Sequence, residues 1–364
     1  MPKKKSLKSL RKPKKITLKQ AICLFPILLI AYLLSSYDDL LHPLTFPNDG
    51  EPVAIYSSDT HHDIKKLYRD AIDSAEKNIF LYIYSFTDPV IAAKLKEKTE
   101  QGIKVTLICD KDGAAKTKKL VGKKVQVISR QNEGFMHLKI MVIDEQKVLI
   151  GSANLTTESL VMHHNNVCVF NSPNLAMHLI SLSEHLNRSN NQTGADFPER
   201  KFTIGNQPIE FWMLPGNTAA CKKLVKLIDN AKESIQVAMF TFTRYDMVYA
   251  LLRAKRRGVD VRIILDAGMS KGAGHHIATL LFLQRVPLKI SQGSPLLHHK
   301  FMVIDESTFV TGSANWTKNA FNNNDDCFLI IENLTPPQSG RLKELWDNLD
   351  RSCGIFTCDE VDAA

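Results

Sequence analysis

"HLKIMVIDEQKVLIGSANLT" spans His137 to Thr156, and "HHKFMVIDESTFVTGSANWT" spans His298 to Thr317. The two stretches lie 161 positions apart and keep His, Lys, Asp and Gly-Ser-Ala-Asn at identical internal spacing. Packing alone explains the shared apolar positions. It does not explain the polar ones, because solvent-facing copies of a duplicated unit drift apart. A retained polar set points to a shared task.

The repeat extends beyond these stretches. "AIDSAEKNIFLYIYSFTD" (Ala71–Asp88) resembles "LIDNAKESIQVAMFTFTR" (Leu227–Arg244) at an offset of 156, where Gly102 also meets Gly258 and Asp110 meets Asp266. The second half therefore carries five extra residues between Asp266 and His298. Each copy reads as a helix (63–77), a buried strand (78–86), a helix (90–102), a strand (103–110), the motif strand, a further strand and a closing helix (174–186). Strands alternating with helices imply an α/β layered fold. The expected architecture is two tandem homologous α/β lobes, each a mixed sheet flanked by helices, related by a pseudo-twofold axis with the active site between them. The lobes are placed at 50–186 and 201–352. The polar, turn-rich "LNRSNNQTGADFPER" (Leu186–Arg200) supplies a linker at 187–200, and a tail follows at 353–364.

The composition, 44% hydrophobic and 23% charged, is that of a folded globular chain. The net charge of +9 is misleading, because residues 1–20 hold nine basic residues and no acid. The rest is balanced at 38 basic against 38 acidic residues, which weighs against a broad nucleic-acid surface. Behind the basic tract lies the charge-free run "AICLFPILLIAYLL" (Ala21–Leu34). It is short for a membrane span and has no small-x-small cleavage site after it. We read 21–36 as an uncleaved signal-anchor, with the basic tract cytoplasmic and the body exported to a periplasmic, lumenal or extracellular space. A secreted form is the alternative. Seven cysteines are too sparse for a disulfide scaffold and show no metal-ligand spacing. Cys353 and Cys358 could pair in an oxidising compartment; free thiols are the other reading.

Within the motif strand, residues two apart share a face. His137 projects with Lys139, and His298 with Lys300. Asp144 and Asp305 lie seven positions on, so they face the other way and tie the strand to its own lobe. Gly151 and Gly312 permit a tight backbone, while Ser152, Asn154, Ser313 and Asn315 offer short donors for phosphate. Together these residues form a donor-rich set suited to an anionic phosphoryl group. One imidazole can attack phosphorus and the other can protonate the leaving oxygen, on opposite sides of an in-line displacement. No metal and no cofactor is required.

At these residues the chain resembles the phospholipase D superfamily, whose mark is two His-x-Lys-x4-Asp motifs. His137, Lys139, Asp144 and His298, Lys300, Asp305 match both copies, and Gly151–Asn154 and Gly312–Asn315 match the extension; the resemblance covers roughly residues 50–350. It implies cleavage or transfer at a phosphodiester through a phosphohistidine, with the six motif residues as the catalytic set, His137 as nucleophile and His298 as proton donor. It also implies a downstream acid holding a motif histidine. Asp326 stands at that position in the second half and Asn165 in the first, a departure that should weaken the hold on His137, with Glu158 either a substitute or a surface residue.

The expected substrate is a phospholipid at a membrane, cleaved to phosphatidic acid. Apolar "IATLLFLQRVPL" (Ile277–Leu288) could line a lipid path or be an ordinary helix and strand. The alternatives are a metal-independent nuclease, for which "LLRAKRRGVDVR" (Leu251–Arg262) is either a local cationic stretch or a solvated helix end, a phosphatidyl transferase, and a non-catalytic tethered binding protein. A monomer is expected, because internal duplication builds the site without a second copy.

Overall fold

A computed structural model of the chain describes residues 44–188, 193–197 and 200–357. The basic tract, the Ala21–Leu34 run and Cys358 lie outside them. Among the described residues no helix is long and apolar enough to cross a membrane.

The first lobe runs β1 (Ala54–Ser57), α1 (Ile64–Asp73), β2 (Asn78–Ile83), α2 (Pro89–Glu100), β3 (Lys104–Asp110), α3 (Ala114–Val121), β4 (Gln126–Arg130), β5 (Lys139–Ile143), β6 (Lys147–Gly151), α4 (Thr157–Val161), β7 (Asn166–Asn171) and α5 (Pro173–Arg188). A short α6 (Thr193–Asp196) leads to the second lobe. That lobe runs β8 (Arg200–Ile204), β9 (Gln207–Met213), α7 (Thr218–Asn230), β10 (Ser234–Met239), α8 (Tyr245–Arg256), β11 (Asp260–Leu265), α9 (Ala267–Lys271), α10 (His275–Leu283), β12 (Leu288–Ile290), β13 (Lys300–Ile304), β14 (Thr308–Gly312), α11 (Lys318–Asn322), β15 (Cys327–Ile331), α12 (Pro336–Ser352) and β16 (Gly354–Ile355).

The strand order is β1-β7-β6-β5-β2-β3-β4 in the first sheet. The second repeats it as β9-β15-β14-β13-β10-β11-β12, with β8 and β16 added at the edges. In each sheet the pairs joined by helical crossovers, such as β2–β3, are parallel, while the motif strand and its neighbours are antiparallel. Two mixed sheets flanked by helices make this an α/β fold. Buried on both faces, the central strands are nearly continuous apolar runs, as in "NIFLYI" and "KVTLICD".

Local chemistry sets the ends of the elements. Asp63 caps α1 by accepting from the Lys66 amide, and Asp88 caps α2 with Pro89 in its first turn. Thr156 and Thr317, the last residues of the two motif stretches, cap α4 and α11. A Cβ on Gly151 would meet Asn166 O at 2.1 Å, and one on Gly312 would meet Cys327 O at 2.5 Å. Both glycines are therefore set by close approach of the next strand.

Several elements differ from the sequence reading. The first helix ends at Asp73, four residues early, because the amides of residues 76–78 bond to Asp144 instead. The 187–200 segment contains α6, and Thr193 is buried and donates to Asp325, so its role exceeds that of a spacer. The region read as tail contributes β16, which pairs with β12. Among the described residues Cys109, Cys168, Cys221, Cys327 and Cys353 are free thiols.

The lobes meet at two backbone crossings, Met136 with Asp325 and Leu297 with His164. Adding 161 to Met136 gives Leu297, and adding 161 to His164 gives Asp325, so each crossing is the other with the lobes exchanged, which is the pseudo-twofold relation in atomic form. Asn166 reinforces the contact by donating to Thr311 Oγ1 at 2.7 Å.

Candidate active site

Each crossing delivers a histidine. The Met136 amide donates to Asp110 Oδ2 and the Leu297 amide to Asp266 Oδ2, so the aspartate that ends β3 and the one that follows β11 fix the approach to His137 and His298. The His137 amide bonds to Asp325 O, and the His298 amide to His164 O, each across the lobe boundary.

The side chains cross over as well. His137 Nδ1 lies 2.8 Å from Asp326 Oδ1, and His298 Nδ1 lies 3.0 Å from Asn165 Oδ1. Each histidine is held by a residue of the opposite lobe. The expectation that Asn165 weakens the hold on His137 is therefore corrected: the amide serves His298, and His137 has the carboxylate. Repeat alignment pairs equivalent positions, whereas contacts across a twofold axis pair each position with the other copy. Glu158 is exposed in the first turn of α4, a surface residue and no substitute.

A carboxylate only accepts, so His137 Nδ1 carries the proton and Nε2 keeps its lone pair. Asn165 Nδ2 donates to Ser159 O, which turns its oxygen toward His298 and sets the same tautomer there. Ser313 Oγ donates to Asp326 Oδ1 at 2.7 Å, and Ser152 Oγ to Asn165 Oδ1 at 2.8 Å. The serines expected to bind phosphate instead lock the residues that hold the histidines. Asn315 Oδ1 accepts from the Thr241 amide, while Asn154 Oδ1 is buried without a partner.

Lys139 Nζ donates to His137 O and Lys300 Nζ to His298 O, both at 2.7 Å. The ammonium groups lie over the rings of Tyr84 and Phe240 at 5.3 and 4.8 Å. Those rings also stand 5.1 Å from His137 and 5.0 Å from His298. Tyr84 and Phe240 were missed in the sequence, although they align at the offset of 156 and are both aromatic. His163 is a further neighbour, 6.4 Å ring to ring from His298.

Asp144 and Asp305 stand outside this cluster. Asp144 accepts the amides of Glu76, Lys77 and Asn78, and Asp305 those of Lys232, Glu233 and Ser234. Grouping them with the catalytic residues is corrected. They sit at positive φ beyond the far end of the motif strands and staple them to the helix–strand junction of their own lobe.

The cluster favours neutral groups until an anion arrives. Burial pushes His137 below the ordinary imidazole value, against the pull of Asp326, and Lys139 pushes it the same way. His298 lies further below, from burial and then from Lys300 and Lys139. Burial brings Lys139 down to about 7, and Lys300 falls well below its usual value from burial and from Lys139. Two lysines and two histidines sharing one buried space lack the negative charge that would let all four ionise. A phosphoryl group supplies it.

Two stretches proposed as substrate surfaces lie elsewhere. In Leu251–Arg262, Arg253 and Arg257 pair with Asp229 at the end of α8 remote from His298. In Ile277–Leu288, Ile277, Ala278 and Leu281 are core, and β12 is three strands from β13, roughly 14 Å at about 4.8 Å per strand.

The family described as "Cardiolipin synthase, PLD-like domain" matches residues 68–186 and 224–346, one match per lobe. The chain is 32% identical over 139 residues to a mitochondrial cardiolipin hydrolase of Xenopus laevis, covering 38% of this chain and 66% of that one. It is 30% identical over 115 residues to a phospholipase D of Rickettsia bellii, covering 30% and 57%. The chain thus spans less than two thirds of the length of these relatives. Among solved structures, phosphatidylserine synthase of Haemophilus influenzae matches with a TM-score of 0.67 at 12% identity, covering 88% of this chain and 91% of that one, a likeness of fold. With both lobes matched and both histidines meeting at their boundary, the chain belongs to the phospholipase D-like family.

Proposed function

We propose that this protein hydrolyses phospholipid phosphodiesters through a phosphohistidine at one site shared by the two lobes. The crossed pairing of His137 with Asp326 and of His298 with Asn165 carries the reading. Asp326 offsets the positive charge that His137 gains when Nε2 bonds to phosphorus, so His137 is the nucleophile. Asn165 orients His298 without adding charge, which keeps a protonated His298 acidic and suits a proton donor.

The first step forms the N–P bond and breaks the P–O bond to the leaving alcohol, which takes the Nε2 proton of His298. In the second, His298 accepts a proton from water, oxygen bonds to phosphorus and the N–P bond breaks. The sum is diester plus water giving monoester plus alcohol. Lys139 and Lys300 neutralise the non-bridging oxygens, with Asn154 and Asn315 as candidate further donors.

Lipid is favoured over nucleic acid by the balanced charge of the body, by the names of the relatives and by exposed Phe135, Val161 and Met162 flanking the site residues His137 and His163 in sequence. The apolar segment at Ala21–Leu34 would hold the exported body at a bilayer. Mixed phospholipid vesicles and single-stranded DNA, offered separately with EDTA to the chain and to His298→Ala, test this. Phosphatidic acid release lost in the variant is expected; DNA cleavage without lipid turnover would overturn the lipid reading and leave the phosphodiester chemistry standing.

A further inference from the structure

Behind His298 lies a buried cluster that the mechanism does not use. Asp59, just after β1, accepts from His164 of the first lobe through Oδ1 and from His299 of the second through Oδ2, the latter at 2.7 Å. Its carboxylate is almost wholly enclosed. His299 follows His298 in sequence and uses its other nitrogen on Asn166 Oδ1 at 3.1 Å. His164 O accepts the His298 amide. The same β1 end holds Asn165: Ser57 Oγ donates to Asn165 O, and the Asn165 amide donates to Ser58 Oγ. Asp59 is thus one bond removed from both backbone neighbours of the His298–Asn165 pair.

We propose that Asp59 is the positioning carboxylate of the proton-donor half-site, fixing His298 and Asn165 across the lobe boundary through His164 and His299. On the other side, Asp325 occupies the position of His164 and is bound by Arg130 at 2.9 Å. Each catalytic histidine therefore has a charged pair behind it, built from different residues: the buried Arg130–Asp325 pair and the part-buried His164–Asp59 pair. At the offset of 156 Asp59 aligns with Pro215, so the pair behind His298 belongs to this half alone.

The inference rests on His298 being the proton donor, and the test separates the two. Bis(4-nitrophenyl) phosphate has a leaving group that departs without protonation. The first turnover, in which His137 Nε2 bonds to phosphorus and 4-nitrophenolate leaves, should not need His298. Hydrolysis of the phosphohistidine should, because water must lose a proton. We expect Asp59→Asn to keep a burst of about one nitrophenolate per enzyme while steady-state turnover falls about tenfold to a hundredfold. His299→Leu, which installs the residue found at the aligned Leu138, should behave alike and covers the case in which Asp59→Asn does not fold. A burst and steady state that fall together, or neither falling, would overturn the role of Asp59. The absence of a retained burst with slow turnover in His298→Ala would overturn the donor assignment, and the proposal with it.

Discussion

Asp326 of the second lobe and His137 of the first are joined by a 2.8 Å hydrogen bond, while Asn165 of the first lobe makes the corresponding 3.0 Å bond to His298 of the second. Neither lobe holds a complete half-site. The exchange makes the lobe boundary a chemical requirement, and it gives two identical side chains different electrostatic partners.

Exchanging those partners should exchange their effects. Asp326→Asn leaves His137 oriented but removes the charge that balances the phosphohistidine, so turnover should fall by about 10² to 10⁴. Asn165→Asp places a carboxylate against His298 and raises its affinity for a proton. The alkaline limb of the rate profile should then move to higher pH. A pH–rate profile of each variant checks both expectations.

Anion binding should depend on pH through the lysines. Lys139 is held at about 7 by burial, so it is charged below that value and neutral above it. The affinity for sulfate, whose own charge is constant in this range, should weaken as pH rises through about 7. Calorimetric titration at pH 6 and pH 8 reads the difference, and Lys139→Met should flatten it.

Asp144 and Asp305 should matter for folding rather than chemistry. Each accepts three backbone amides at the junction before the central strand. Asp144→Ala should cost about 1–3 kcal/mol of stability. Turnover per folded molecule should stay within about twofold. Denaturant melts combined with active-site titration separate the two.

Removal of metal should change little. The proposed chemistry uses two imidazoles and two ammonium groups, so EDTA should leave the rate within about twofold of its untreated value. A rate lost to EDTA and restored by Mg²⁺ would contradict the two-histidine route.

Much of this site was legible in the sequence, because a duplicated catalytic unit prints its polar set twice. His137, Lys139, His298 and Lys300 come directly from the repeat, and strand parity separates Asp144 and Asp305 from them. The partner exchange was not legible: alignment says that Asn165 and Asp326 are equivalent, not which histidine each will meet. Ser152 and Ser313 look like phosphate donors until the strands fold and place Asn165 and Asp326 beside them. Tyr84 and Phe240 left a signal, aligned aromatics at the ends of matched strands, that packing alone would also produce. Asp59 left none, because it has no copy.

The central claim is that His137 alone forms the covalent bond. The most direct measurement is rapid quenching of the enzyme with bis(4-nitrophenyl) phosphate at neutral pH, followed by peptide mass analysis under alkaline conditions that preserve phosphohistidine. The account predicts a 4-nitrophenyl phosphoryl group on the peptide carrying His137, retained in His298→Ala and absent in His137→Ala. A label on His298, or turnover with no covalent label at all, would contradict it.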